Sequence, residues 1–122
     1  MTKPVLFHSP RRCDIWIVEL DPTRGHEIQK TRHCLVIQSD ILNKKLPTYI
    51  IAPITSKVRP EWFPIGIIIK KNEGGLSKES QIMLNQIKAC DITRFKRKVG
   101  RLNESIMIQV DESLSLVLGL NS

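Results

Sequence analysis

The sequence lacks any paired cysteine pattern. Its three cysteines, Cys13, Cys34 and Cys90, are far apart, and no two of them have a CxxC spacing. An odd number of isolated cysteines argues against a disulfide framework and against a cysteine-based zinc site. Cys34 and Cys90 stand among apolar residues, which predicts small buried side chains. We therefore expect no metal and no cofactor, and a chain that works in a reducing cytoplasm.

Long hydrophobic runs are also missing. No apolar stretch approaches the roughly 18 residues that a membrane helix needs, so we expect no membrane association. The first ten residues offer only Val5-Leu6-Phe7, which is too short for the core of a signal peptide. The chain has no internal repeat and no segment resembling a linker. Its 122 residues therefore predict one domain over 1–122, with an irregular arm over 1–10.

Positive charge is abundant. Nineteen Lys and Arg residues oppose 12 Asp and Glu residues, which gives a formal net charge of +7 and a pI near 9.6. Such an excess bears on partners and not on fold. Nucleic acid and acidic proteins are the two partner classes that fit, and an ordinary basic surface is the alternative.

The apolar pattern predicts a mainly β domain of the α+β class, a small barrel followed by one helix. Pro53 should end the third strand, because proline cannot donate to a sheet ladder. Ser39-Asp40 should cap a helical turn through Asn43. Asn103 should cap the final helix, whose apolar face recurs at helical spacing up to a stop at Gly119. The expected strands cover 13–20, 34–38, 49–53, 65–70, 81–91 (as one strand or two joined at a bend) and 98–102.

The loop from Asp21 to His33 is the strongest indication of function. It follows an apolar strand and is dense in Gly, Thr, His, Glu, Gln, Lys and Arg. Loops of about a dozen residues are uncommon in small domains and are usually functional or disordered. Polar groups on a loop beside a rigid scaffold are a common way to build a site.

Several motifs occur here in the order that they have in one protein family. They are Arg12-Cys13-Asp14-Ile15-Trp16, Asp21-Pro22-Thr23-Arg24-Gly25-His26-Glu27, Thr31-Arg32-His33, Ala52-Pro53-Ile54-Thr55-Ser56, Ser80 to Asp91 and Gly100-Arg101-Leu102. With the helix-like tail, they cover nearly the whole chain beyond residue 10. The sequence resembles the MazF/PemK toxin endoribonucleases. The resemblance implies an SH3-like β-barrel, shared with the CcdB toxins, and a homodimer.

The resemblance implies a metal-independent endoribonuclease that cuts single-stranded RNA at preferred sequences. RNA carries its own nucleophile, the 2′-hydroxyl. The protein must therefore supply a base, a donor set for the charged phosphorus and a proton donor for the leaving 5′-oxygen. Arg32 matches the family arginine and suits phosphate, because guanidinium presents a planar fork of donors. Thr55 is the matching hydroxyl, and Glu27 is the matching carboxylate that acts as a base or holds Arg32.

Other residues are expected to contact RNA. They are His26, Gln29, Lys30, Thr31, Ser56, Trp62 and Gln86. Trp16 and Phe95 could stack on bases, but core packing is the favoured interpretation. Thr55 has the ordinary alternative of a hydrogen bond within a turn. The basic residues Arg94, Lys96, Arg97, Lys98 and Arg101, expected between two strands, could track an RNA backbone or simply face solvent.

The chain departs from the family pattern at three places. Cys13 replaces a glycine, His33 replaces a proline, and Asn85 replaces an aspartate that is implicated in catalysis in the PemK branch. Met83 likewise stands where that branch has an arginine, so the arrangement of Arg32 with Thr55 fits better. The implied partner is a cognate acidic antitoxin. The alternatives are a non-catalytic RNA- or antitoxin-binding module and, less favoured, a gyrase poison like CcdB, whose C-terminal Trp-Gly-Ile is missing.

Overall fold

A computed structural model describes residues 9–20 and 31–120. Its strands are β1 Asp14–Glu19, β2 Thr31–Val36, β3 Thr48–Thr55, β4 Gly66–Ile69, β5 Ser80–Met83, β6 Lys88–Asp91 and β7 Phe95–Arg101. The helices are the short α1 Asp40–Asn43 and the longer α2 Glu104–Val117. The prediction of a mainly β domain with a C-terminal helix is confirmed. The strands form an antiparallel sheet in the order β4-β5-β3-β2-β1-β7, with β6 also on β3, and this sheet is not closed into a full barrel.

Both faces of the sheet are covered. Ile15 of β1 is fully buried in a cluster that includes Leu35 and, from α2, Val110. Its neighbour Trp16 points the other way, into a second cluster, because successive strand residues alternate between faces. There the Trp16 and Phe95 rings meet edge to face at 5.8 Å, and the prediction that both belong to the core is confirmed.

The cysteines behave as expected from their apolar surroundings. Cys34 and Cys90 are both buried in the second cluster. Burial raises the pKa of Cys34 to about 12, so its thiol stays protonated near neutral pH. Cys13 is half-buried and adopts a positive φ of 81°, a backbone conformation that glycine reaches more easily.

Pro53 does not end its strand, so that prediction is wrong. β3 pairs with β6 from Thr48 to Ile51 and then with β5 at Ile54 and Thr55. Pro53 lies between these two sets of pairs, where the strand changes its neighbour on that side. A missing N–H is tolerated where ladder pairing is interrupted.

Other boundaries shift in informative ways. β2 begins at Thr31, three residues earlier than expected, because Thr31 to His33 pair with β1. The stretch 81–91, predicted as one long strand or as two strands joined at a bend, forms the two strands β5 and β6. Both predicted helix caps are confirmed: Ser39 Oγ accepts the Ile41 N–H at 3.1 Å, and Asn103 Oδ1 accepts the Ile106 N–H at 3.0 Å.

β7 is longer than expected and contains four residues of the predicted basic cluster, Lys96, Arg97, Lys98 and Arg101. The expectation that Lys96 and Arg97 lie between two strands is wrong, because both are strand residues. Near its end, β7 is crossed by the turn Glu73–Gly75. A Cβ at Gly100 would lie 2.3 Å from the Gly74 carbonyl oxygen, so this approach requires glycine.

The buried carboxylate of Asp14 in β1 binds side chains of β7. It is 1% exposed and accepts hydrogen bonds from the Arg11 N–H at 2.9 Å and the Trp16 indole at 3.2 Å. Its other oxygen accepts from the Arg101 guanidinium at 2.6 Å, and the Lys98 ammonium lies 3.5 Å away. A buried carboxylate needs such compensation, because burial removes its hydration.

Replacing Asp14 should therefore destabilise the fold. Asp14→Ala leaves the Trp16 indole and Arg101 without their acceptor, and we expect a loss of about 2–3 kcal/mol in the free energy of unfolding. Urea titration followed by circular dichroism measures it. The control is Asp111→Ala, which removes an exposed ion pair with Arg12 and should cost less than about 1 kcal/mol. Equal losses of unfolding free energy in the two variants would contradict the prediction that the buried Asp14 contributes more to stability than the exposed Asp111.

Candidate functional site

A fork between β2 and β3 creates a cavity. Their pairing runs from Val36–Ile51 to Cys34–Pro53. Beyond Cys34, within the described residues, β2 continues along β1, while β3 continues along β5. The strands part, and a cavity of about 540 Å³ lies between them. It is lined by Thr31, Arg32 and His33 from β2, Ile54, Thr55 and Ser56 from β3, and Leu76, Ser77, Lys78 and Ser80 from the segment leading into β5.

Arg32 and Thr55 lie on the same face of the sheet. Cys34 and Pro53 are direct partners, so their side chains share a face. Strand alternation then places Arg32, two residues before Cys34, and Thr55, two residues after Pro53, on that face as well. Both residues are half-buried at the cavity wall. The fork thus brings a guanidinium and a hydroxyl together across 23 residues of sequence.

The Thr55 hydroxyl has a defined orientation. Its oxygen accepts the Lys57 N–H at 3.1 Å, so the predicted alternative of a turn hydrogen bond is present. That bond uses a lone pair of the oxygen and not its proton. The hydroxyl can therefore donate to an anionic group in the cavity. Ser56, the next residue, is exposed and also lines the wall.

His33 is a cavity residue with an altered titration. Burial lowers the pKa of His33 below its usual 6.5, and the positive charge of Arg97 lowers it further. Both effects disfavour the charged imidazolium. The pKa shift therefore favours the neutral imidazole, which has one ring nitrogen that can accept a hydrogen bond. His33 is a residue of β2 and also lines the cavity.

Sequence reasoning missed the third wall of the cavity. Ser77, Lys78 and Ser80 were not among the expected site residues. Ser80 is buried, and its hydroxyl donates to the Lys78 carbonyl at 2.9 Å, which fixes the turn into β5. The family motif that begins at Ser80 was the one indication in the sequence that this segment lies near the site. No local sequence pattern relates residues 77–80 to Arg32.

Trp62 and Gln86 are the remaining predicted residues that the structure describes, and neither lines the cavity. Trp62 is 37% exposed in a short 3₁₀ turn, with the Arg59 guanidinium 5.0 Å from its ring centre. Gln86 is exposed in the turn between β5 and β6 and is not part of the cavity wall. Glu27, His26, Gln29 and Lys30 lie outside the described residues. The cavity thus unites Thr31, Arg32, Thr55 and Ser56 among the predicted set.

Part of the basic strand β7 is engaged with carboxylates. Lys96 lies 3.4 Å from Glu19, and Lys98 and Arg101 both approach Asp14. Arg97 lies opposite Ile17, which in turn lies opposite His33. The run is thus partly structural and partly an electrostatic neighbour of the cavity.

Within 9–20 and 31–120, no three His, Cys, Asp or Glu side chains are grouped so that they could hold a metal ion. In the same part of the chain, no helix has the length and apolar character needed to cross a membrane.

Comparison with known proteins identifies the family. Residues 11–118 match the family described as the PemK-like, MazF-like toxin of type II toxin–antitoxin system. The chain belongs to this family. It is also similar to the endoribonuclease MazF of Staphylococcus epidermidis, with 40% identity over 112 residues that cover 92% of this chain and 93% of the relative.

Solved structures support the fold. The toxin MazF-mt6 of Mycobacterium tuberculosis superposes with a TM-score of 0.75 at 21% identity, over 89% of this chain and 99% of its own. A MazE–MazF structure from Deinococcus radiodurans gives a TM-score of 0.78 at 18% identity, over 93% and 99%. The open sheet with its C-terminal helix is therefore the fold of MazF toxins.

The titration of His33 is a direct test of the cavity electrostatics. We expect an NMR midpoint below 6.5, and a higher midpoint in Arg97→Ala, because one cation is removed while the burial remains. Because the folded state disfavours the protonated form, the contribution of His33 to stability should fall as pH drops through 6.5. Lys96→Ala, which removes a cation facing Glu19, is the control. An unshifted midpoint in Arg97→Ala would refute the coupling.

Proposed function

We propose that this chain is the endoribonuclease toxin of a type II toxin–antitoxin pair, and that it cuts single-stranded RNA at preferred sequences without a metal ion. The observation that carries the proposal is the convergence of Arg32 and Thr55 on one face of the β2–β3 fork. The family and the 40% identical endoribonuclease support the reaction class.

The reaction uses the substrate's own hydroxyl. The 2′-oxygen attacks the neighbouring phosphorus and forms a new P–O bond, while the bond to the 5′-oxygen breaks. The products are a 2′,3′-cyclic phosphate and a free 5′-hydroxyl. The 2′-proton passes to a base, and another proton reaches the departing 5′-oxygen, so the step needs no co-reactant.

Arg32 and Thr55 have distinct roles in this proposal. The guanidinium of Arg32 binds two phosphate oxygens and stabilises the charge of the five-coordinate phosphorus. The Thr55 hydroxyl, held by the Lys57 N–H, donates its proton in a hydrogen bond to one of the same two non-bridging oxygens, which accepts more than one hydrogen bond. The base is Glu27, which lies outside the described residues, or His33, whose lowered pKa favours the neutral imidazole and which lines the cavity.

The RNA path follows from the positions of the other residues. Thr31 and Ser56 contact the nucleotide in the cavity, since both form its wall. Trp62 supplies an exposed aromatic ring in the 3₁₀ turn between β3 and β4. His26, Gln29, Lys30 and Gln86 also contact RNA in this proposal, as the family resemblance implies.

The protein partner in this proposal is an acidic antitoxin. The net charge of +7 favours a negatively charged segment, and solved relatives include an endoribonuclease in complex with its cognate antitoxin. The active form is a homodimer. Exposed apolar side chains on α2, among them Ile108 and Leu116, offer surface for self-association, and light scattering of the purified chain measures the mass.

Loss of Arg32 should abolish cleavage. We expect Arg32→Ala to cut a long single-stranded RNA in EDTA at least about 100-fold more slowly, since one oxyanion donor contributes about that much. Arg11→Ala, an exposed arginine at the opposite end of β1, is the matched control and should cut at the native rate. Gel mapping of fragment ends then gives the preferred sequence.

A competing candidate is a binding module that has lost catalysis, suggested by the departures at Cys13, His33 and Asn85. If the native chain and Arg32→Ala both bind RNA or an acidic partner and neither cuts, that candidate replaces the nuclease. If the native chain and Arg32→Ala cut RNA at equal rates, the nuclease proposal stands and only the catalytic role of Arg32 is refuted.

Thr55 should contribute through its hydroxyl. We expect Thr55→Ser to keep most of the cleavage rate, while Thr55→Val, which has nearly the same shape, loses about 10-fold or more, the usual scale for one positioned group. Single-turnover rates at saturating protein separate this effect from binding. Equal rates for Thr55→Val and the native chain would limit Thr55 to its turn hydrogen bond.

A further inference from the structure

Gln81 is a polar side chain in the interior of the sheet. It is 0% exposed, and its Cα lies opposite Thr55 on β3 and opposite Ile68 on β4. A buried amide has four hydrogen-bonding positions and costs stability unless they are used. Its position across from Thr55 makes its partners relevant to the cavity.

The partners of Gln81 belong to a loop and not to the sheet. Its Oε1 accepts the Arg59 N–H at 2.8 Å, and its Nε2 donates to the Arg59 carbonyl at 2.9 Å. One side chain thus satisfies both main-chain groups of Arg59. The chain between Thr55 and Arg59 is fixed at both ends, since Thr55 itself binds the Lys57 N–H.

A glycine leaves the space for this arrangement. A Cβ at Gly66 would lie 2.4 Å from Nε2 of Gln81 and 2.7 Å from its Cδ. Any larger residue would displace the amide or clash with it. The sequence therefore provides both the side chain and the room that its orientation requires.

The same contacts continue to Trp62. The Arg59 carbonyl also accepts the Trp62 N–H at 3.0 Å, so Gln81 and Trp62 share one acceptor. The Arg59 guanidinium lies over the Trp62 ring at 5.0 Å from its centre. Gln81 thus holds the backbone on which this cation–aromatic pair is built.

We propose that Gln81 is a positioning residue that fixes the Arg59–Trp62 pair as a stacking surface for an RNA nucleobase next to the cavity. Bases of single-stranded RNA are commonly bound on aromatic rings and arginine planes. Arg59 is three residues from the cavity residue Ser56, a distance of no more than about 10 Å along an extended chain. The inference rests on the proposed function, because it assumes that RNA occupies the cavity.

The test combines Gln81→Met, Trp62→Ala and the double variant. Each single variant should raise KM for a cleaved RNA about tenfold, the scale of one stacked base, and leave the single-turnover rate at saturation unchanged. The double variant should resemble Trp62→Ala, because Gln81 acts through Trp62. Phe63→Ala, an exposed aromatic in a groove with Leu116 of α2, is the matched control and should behave like the native chain.

Binding is measured separately from cleavage. A fluorescein-labelled pool of short 2′-O-methyl RNAs lacks the nucleophile, and its anisotropy gives the affinity of each variant. Gln81→Glu keeps the acceptor for the Arg59 N–H but loses the donor for its carbonyl, so it should fall between Gln81→Met and the native chain. Thermal melting establishes whether each variant is folded. If Gln81→Met does not fold, Gln81→Glu replaces it in the comparison.

The outcomes separate the two proposals. If the native chain cuts no RNA yet Gln81→Met and Trp62→Ala weaken binding of the 2′-O-methyl pool, the nuclease proposal fails and the stacking surface stands. If the native chain cuts RNA and folded Gln81 variants keep the native KM and affinity, the role of Gln81 is refuted. Additive losses in the double variant would equally refute action through Trp62.

Discussion

The interaction on which this structure depends is the short pairing of β2 with β3, which covers three residue pairs from Val36–Ile51 to Cys34–Pro53. β3 uses one edge for β2 and divides the other between β6 and β5. Where it turns to β5, it leaves β2, and β2 remains with β1. The cavity is the direct geometric result of this separation. Arg32 and Thr55 line it together because each lies two residues beyond the last shared pair, on the face that Cys34 and Pro53 share.

Much of the fold could be predicted from local sequence. The alternation in Ile15, Trp16 and Val18, the cap at Asn103 and the helical apolar face of α2 are short-range signals. The prediction at Pro53 was wrong because the effect of a missing N–H depends on whether another strand pairs with that edge at that residue. The arrangement of β5 and β6 along β3 decides this, and local sequence does not reveal it. The length of β7 was missed for the same reason, since its charged residues pair with a strand 80 residues earlier in the chain.

The site was predicted only where a motif carried the information. Arg32 and Thr55 followed from the family resemblance, and the structure supplies a reason for their proximity that spacing alone does not contain. Ser77 and Lys78 enter the cavity through the packing of a turn, which no periodicity encodes. Gln81 looked like one more residue in a strand, and only the contact of its amide with the Arg59 backbone distinguishes it.

Among residues 9–20 and 31–120, β7 pairs with β1 alone, so its other edge has no strand partner in that part of the chain. Such edges are templates for pairing with another chain, and natural proteins protect them with charge or with a covering segment. Here the Glu73–Gly75 turn covers the strand at Gly100, and Lys96, Arg97 and Lys98 occupy the part that remains. The same lysines and arginine that strengthen the positive field of the molecule thus also oppose edge-to-edge aggregation, so their replacement by neutral residues would affect solubility as well as charge.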